Sequence, residues 1–260
     1  MQEQLQSQYT NVDGIVVHAR VAAKQHTEDR PVLILVHGLV ISSRYMVPLA
    51  KLLAPYYRVY AIDLPGYGKS DKPDHTLELP ELADALRDWM DAVQINHATL
   101  LGNSFGCQII AEFAVRHPDR VNRIILQAPT VDRHTRTFPQ QLWRFLCDAP
   151  NEDLFMAFLL LYDYSLAGIP RLIRTIQISL ADAIETKLPL IQVPTLVVIG
   201  TKDTMVPEYW AREVANLLPE GKLVIVDGVG HAFNYSVPME LARVTQAFLN
   251  SSTPDLVRTQ

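Results

Sequence analysis

Short, largely apolar runs rich in β-branched residues recur along this chain, and most are separated by stretches of helical periodicity. Ile15 to Val21, Val32 to Val36, Arg58 to Ile62, Ala98 to Leu101, Val121 to Gln127, Thr195 to Ile199 and Leu223 to Val226 have the length and composition of strands. Tyr45 to Leu53, Leu79 to Val93, Phe105 to Arg116, Tyr209 to Leu218 and Met239 to Leu249 place apolar residues three and four apart, as a half-buried helix requires. A strand apolar at every position, rather than at every second one, must be covered on both faces. Helices between successive strands supply that cover, so the pattern predicts an α/β fold with a mostly parallel central sheet flanked by helices. The first run is expected in an N-terminal hairpin.

The rhythm fails once. Residues 131–193 hold no strand-like run, but Trp143, Phe145, Leu146, Phe155, Phe158, Leu159, Tyr162 and Tyr164 recur at helical spacing. Pro139, Pro150, Pro170 and Pro189 break the segment into short helices. The expected organisation is an α/β core formed by residues 1–130 and 194–260, with a helical lid inserted at 131–193. More large apolar surface is present there than short helices bury among themselves, so some of it is expected over a substrate pocket, with Trp143, Phe158 and Tyr162 as its candidate walls.

Bulk properties exclude several function classes. Lys and Arg number 23 against 28 Asp and Glu, a net charge of 23 − 28 = −5, which leaves no electrostatic footprint for nucleic acid. Cys107 and Cys147 are too few for a disulfide framework and lack metal-ligand spacing. The longest apolar run, Leu154 to Leu161, is too short to span a bilayer, and Met1 to Thr10 lacks the pattern of a secretory signal. A cytoplasmic protein acting on a small molecule, with no membrane partner, is expected.

Gly102-Asn103-Ser104-Phe105-Gly106 follows one predicted strand and opens a predicted helix, the context in which a serine is lifted above a sheet on a tight turn. A serine hydroxyl needs a base, and the base needs a third group to set its tautomer. His231 follows the strand Leu223 to Val226 in Gly228-Val229-Gly230-His231, and Asp203 follows Thr195 to Ile199 in Gly200-Thr201-Lys202-Asp203. Both fall at strand ends, where open α/β sheets place their sites. Asp132, after the strand Val121 to Gln127, competes with Asp203 for the role of acid; Asp203 is favoured because its loop leads directly into a Val-Pro helix start. The N–H groups of Leu39 and Phe105 are the candidate oxyanion donors, each of the kind whose removal costs about 3 kcal/mol of transition-state stabilisation. His37 is expected to support its loop, Cys107 to pack, and His26, His75, His97, His117 and His134 to sit solvated in polar loops or helix ends. No metal or organic cofactor is called for.

With His37-Gly38, Asp63-Leu64-Pro65-Gly66-Tyr67-Gly68-Lys69-Ser70, the serine elbow, Gly200-Thr201-Lys202-Asp203 and Gly230-His231 in this order, the chain resembles the α/β-hydrolase superfamily from about Val32 to Leu249. The resemblance implies a serine-nucleophile branch, since haloalkane dehalogenases and epoxide hydrolases carry aspartate at the elbow. Its Gly-Asn-Ser elbow is similar to that of carbon–carbon-bond hydrolases, but Leu39-Val40-Ile41 lacks that group's glycine-rich oxyanion loop and the elbow ends Gly106-Cys107 rather than in a glycine pair. The expected activity is hydrolysis of a small to medium apolar carboxylic ester or lactone through an acyl-enzyme. Cleavage of meta-cleavage-type diketones and a ligand receptor with a slow triad are the alternatives.

Overall fold

In the computed structural model, which describes residues 4–22 and 30–251, the seven predicted strands and one more at the N-terminal edge line up in one eight-stranded sheet of order β1-β2-β4-β3-β5-β6-β7-β8. These are β1 (Leu5–Val12), β2 (Ile15–Ala22), β3 (Val32–Val36), β4 (Arg58–Asp63), β5 (Ala98–Asn103), β6 (Val121–Gln127), β7 (Thr195–Gly200) and β8 (Gly221–Val226). β1 and β2 form the expected hairpin, turned by Asp13 and Gly14, both at positive φ. β2 joins β4 antiparallel, and every pairing from β4 to β8 is parallel.

Around the sheet run α1 (Val47–Leu53), α2 (Leu79–Ala92), α3 (Phe105–Arg116), α4 (Phe138–Asp148), α5 (Leu154–Ala167), α6 (Ile169–Ala181), α7 (Ile184–Lys187), α8 (Glu208–Leu217), α9 (Phe233–Ser236) and α10 (Pro238–Asn250). The period of two sorts each strand between two cores. Ile34 and Val36 of β3 meet Leu82, Leu86 and Trp89 of α2, Ile110 of α3 and Trp210 of α8 in one cluster. Leu33 and Leu35 point the other way, into a cluster with Leu49 and Leu53 of α1 and Leu241 and Phe248 of α10. The continuous apolar runs thus reflect burial on both faces.

From β3 the chain crosses to β4 on one side and later returns to β5 on the other. Loops leaving the carboxyl ends of β3 and β5 therefore diverge and leave a crevice between them. Helices α4 to α7 all lie between β6 and β7 in the chain, where no strand was expected. Pro139 and Pro170 sit in the first turns of α4 and α6, where a missing N–H costs nothing.

Candidate active site

Ser104 joins β5 to α3 with φ 54° and ψ −119°, a region an L-residue occupies only when its surroundings enforce it. Those surroundings are close backbone contacts that only glycine permits. A Cβ on Gly102 would stand 2.7 Å from the carbonyl of Gly106, and one on Gly106 would stand 2.6 Å from the carbonyl oxygen of Val36. The Ser104 N–H donates to the Gln127 carbonyl at 3.0 Å, and its carbonyl accepts from Cys107 at 2.9 Å. Its hydroxyl lies 3.4 Å from that of Thr130. Cys107 packs as expected, fully buried with its thiol against the carbonyls of Gly102 and Gln127, and burial pushes its pKa well up.

His231 Nδ1 lies 2.9 Å from Asp203 Oδ2, while Asp203 Oδ1 accepts the N–H groups of Met205 and Val206, each at 2.8 Å. Both carboxylate oxygens are thereby oriented, and Nδ1–H is the tautomer that leaves Nε2 free to accept a proton. Gln127 links the His231 loop to the Ser104 turn: besides its carbonyl accepting from Ser104, its side-chain amide donates to the His231 carbonyl at 2.8 Å. Asp132, the competitor for the acid, is turned elsewhere. Its Oδ2 meets Arg144 at 2.8 Å and the Tyr209 hydroxyl, and its Oδ1 accepts from the His134 N–H at 2.9 Å.

The loop after β3 carries Gly38 and Leu39, both facing the same cavity as Ser104. Val40 follows at φ 55°, a strained state for a β-branched residue. Phe105 opens α3, so its N–H belongs to the first turn, whose donors lack intrahelical partners. His37 is a support: Nδ1 donates to the Gly38 carbonyl at 2.9 Å, and Nε2 accepts from the Leu64 N–H at 3.3 Å. Burial lowers its pKa, which keeps the ring neutral. Among the other histidines, His117 departs from the expectation of a solvated ring. It is largely buried against Phe113, with Nε2 2.8 Å from Asp84. His26 lies outside the described residues.

A cavity of about 490 Å³ opens over Ser104 and His231, within the range of small-molecule sites. Its walls correct the candidates drawn from the sequence. Trp143, Phe158 and Tyr162 do not line it; they face outward, with 68%, 70% and 49% of their surface exposed. The walls are Phe138, Leu142 and Phe145 of α4, Met156, Leu160 and Tyr164 of α5, and Leu172 and Ile176 of α6. The reason is helical phase. On α4 the inward stripe runs 138, 141, 142, 145 and 148, which leaves Trp143 off it. α5 is apolar on nearly all sides, with Asp163 and Ser165 as its exceptions, so its periodicity cannot show which face turns in. The structure turns Asp163 inward, where it accepts from the N–H and hydroxyl of Ser42, and Phe155, Phe158 and Tyr162 are left outside.

Sequence reasoning also missed two carboxyls at the cavity, Asp148 and Glu152. Glu152 accepts from the Ala232 N–H at 2.9 Å, and Asp148 from the Thr204 N–H at 3.1 Å. Burial raises the pKa of Glu152 to about 7, with the nearby Asp148 adding to the shift. Burial alone would lower that of His231; Asp203 first, then Asp148 and Glu152, reverse this and raise it to about 9. Nothing in the sequence sets them apart from the other carboxyls of the insertion, such as Asp153 and Glu185.

The comparisons agree with this architecture. The family model described as "Alpha/beta hydrolase family" matches residues 33–244. A 1-acylglycerol-3-phosphate O-acyltransferase of Arabidopsis thaliana is 36% identical over 104 residues, 38% of this chain and 25% of that protein. The chain thus spans about a quarter of the length of the first such relatives it matches. The candidate carbamate hydrolase RutD of Pseudomonas syringae pv. syringae (strain B728a) is 29% identical over 254 residues, covering 88% of this chain and 97% of that one. An enol-lactonase structure from Burkholderia xenovorans LB400 superposes with a TM-score of 0.74 at 22% identity, over 94% of this chain and 100% of that one, a likeness of fold. Matched along most of its length and built on the same sheet, the chain belongs to the α/β hydrolase family.

Proposed function

We propose that the protein is a serine hydrolase that cleaves a small to medium, largely apolar carboxylic ester or lactone through an acyl-enzyme. The observation that carries this reading is the 2.9 Å contact of His231 with Asp203 beside a cavity that also holds the strained Ser104. Ser104 Oγ attacks the carbonyl carbon as its proton passes to His231 Nε2. The C–O bond to the alcohol then breaks, and the leaving oxygen takes that proton. Water repeats the cycle, with His231 as its base, and releases the acid. The N–H groups of Leu39 and Phe105 receive the oxyanion.

On this reading α4 to α7 form a lid, and its inward apolar stripe binds the acyl group. Each methylene buried there adds about 0.8 kcal/mol, roughly fourfold in kcat/KM. The RutD likeness makes a carbamate a related substrate to include, since the same attack at a carbonyl carbon applies. The test is a panel of p-nitrophenyl esters of graded acyl length, run beside lactones, a carbamate and a chromogenic dienoate, with Ser104→Ala as control. Turnover of esters or lactones that vanishes in Ser104→Ala, together with its covalent labelling by a fluorophosphonate, is the expected result. Turnover of the dienoate alone would move the activity to carbon–carbon bonds. Labelling without turnover of any member would leave a receptor.

A further inference from the structure

Six buried or half-buried carboxyls project from the helical insertion, and they divide into two kinds. Asp132, Asp182 and Glu185 meet cations, Arg144 at 2.8 Å, Lys187 at 2.5 Å and Arg136. Asp148, Glu152 and Asp163 instead take backbone N–H groups of the core. Asp163 accepts from Ser42 N at 2.9 Å and from its hydroxyl at 2.7 Å, across 121 positions of sequence. Asp148 accepts from Thr204 N at 3.1 Å and from its hydroxyl at 3.2 Å, across 56. Glu152 accepts from Ala232 N at 2.9 Å, across 80.

The recipients are what make this pattern informative. Ser42 closes the loop that holds Leu39 and the strained Val40. Thr204 follows Asp203, and Ala232 follows His231. We propose that Asp148, Glu152 and Asp163 are positioning residues, each fixing a backbone amide in one of the three loops that carry the reaction, so that seating the lid and assembling the catalytic geometry are a single event. This rests on the triad reading given above.

The chemistry suits the task. Amides in loops have no ladder partner, and a carboxylate acceptor gives a shorter, stronger bond than a neutral one. A loop held at one extra point loses freedom where small displacements matter most: a misplacement of about 1 Å can cost about 100-fold in rate. Val40 needs such restraint, because a strained residue persists only where its neighbours over-determine it. The end of α4 adds two more ties to the Asp203 loop, the Thr204 hydroxyl donating to the Arg144 carbonyl at 3.0 Å and the Arg144 side chain to the Met205 carbonyl at 3.2 Å.

The test compares Glu152→Ala, Glu152→Gln and Glu152→Asp, with the matching Ala and Asn variants of Asp148 and Asp163. Gln and Asn keep an acceptor oxygen without the charge; Asp at 152 keeps the charge but not the reach. Kinetics on a short ester are followed across pH, with fluorophosphonate stoichiometry as the count of competent Ser104 and Tm as the check on folding. The Ala variants and Glu152→Asp are expected to lose about 10- to 100-fold in plateau kcat at little-changed KM. Gln and Asn should restore most of it. Removing the charge should also move the acid limb of Glu152→Gln and Asp148→Asn to lower pH, because Asp148 and Glu152, after Asp203, are the carboxyls that favour the protonated form of His231. Folded Glu152→Ala and Glu152→Asp proteins with the parent plateau would overturn the inference, as would equal losses in the Gln and Ala variants. If Ser104 of the unaltered protein takes no label and turns over no substrate, the functional reading fails first, and this one with it.

Discussion

Asp203 shares its carboxylate between two tasks: Oδ2 meets His231 Nδ1 at 2.9 Å, while Oδ1 collects the N–H groups of Met205 and Val206. The bond to His231 is therefore set by the loop that follows Asp203, and the imidazole is aimed before any substrate arrives. Asp203→Asn would present an amide to Nδ1 and favour the wrong tautomer, with kcat expected to fall about 10⁴-fold. Asp132→Asn should leave kcat within a few-fold and lower Tm instead, because Arg144 would lose its charged partner. Steady-state kinetics and thermal melts of the two variants check this; the reverse ranking would hand the acid's role to Asp132.

With the His231 pKa near 9, most of the base is protonated at neutral pH. kcat/KM is expected to climb about tenfold per pH unit through the neutral range and to level off near pH 9. The same shift stabilises the fold below the unfolded value of about 6.5, and that stabilisation is lost as pH rises through about 9. Activity should thus peak where part of the stability has gone. A kcat/KM profile already flat from pH 6 upward would contradict this.

Glu152 binds its proton more tightly folded than unfolded, with a pKa raised from 4.5 to about 7 by burial. Its contribution favours the fold below about 4.5 and declines as pH rises through about 7. Glu152→Gln is neutral throughout and lacks that slope. Its Tm relative to the parent protein should improve between pH 4.5 and 7.5, which differential scanning calorimetry at a series of pH values measures; a constant difference would count against the burial of a charge there.

The two faces of α4 separate pocket from surface. Phe145 lines the cavity and Trp143 is mostly exposed. Phe145→Ala should shift the preferred p-nitrophenyl ester to a longer acyl chain, at a rate cost for short ones of about 1–3 kcal/mol in kcat/KM. Trp143→Ala should leave the profile unchanged. A profile that responds to Trp143 and not to Phe145 would mean that the helix turns its other face to the substrate.

The sheet was legible in the sequence because a strand buried on both faces must be apolar throughout, and runs such as Val32–Val36 and residues 196–199 cannot be satisfied otherwise. The elbow was legible for a related reason: Gly102 and Gly106 flank Ser104 where any Cβ would strike backbone. His231 and Asp203 could be nominated from their strand ends, but proximity along the chain says nothing of direction. Only the folded chain turned Asp132 toward Arg144 and Asp203 toward His231. The helical insertion was the least legible part. A helix as apolar as α5 has no polar face to betray its orientation, and its phase is visible only in the folded chain, where the buried carboxylate Asp163 meets the amide of Ser42 and Met156 and Leu160 turn to the cavity. Hydrophobic patterning records how much surface a segment must bury; which side of it meets the core depends on contacts between residues 121 apart, and those exist only in the tertiary structure.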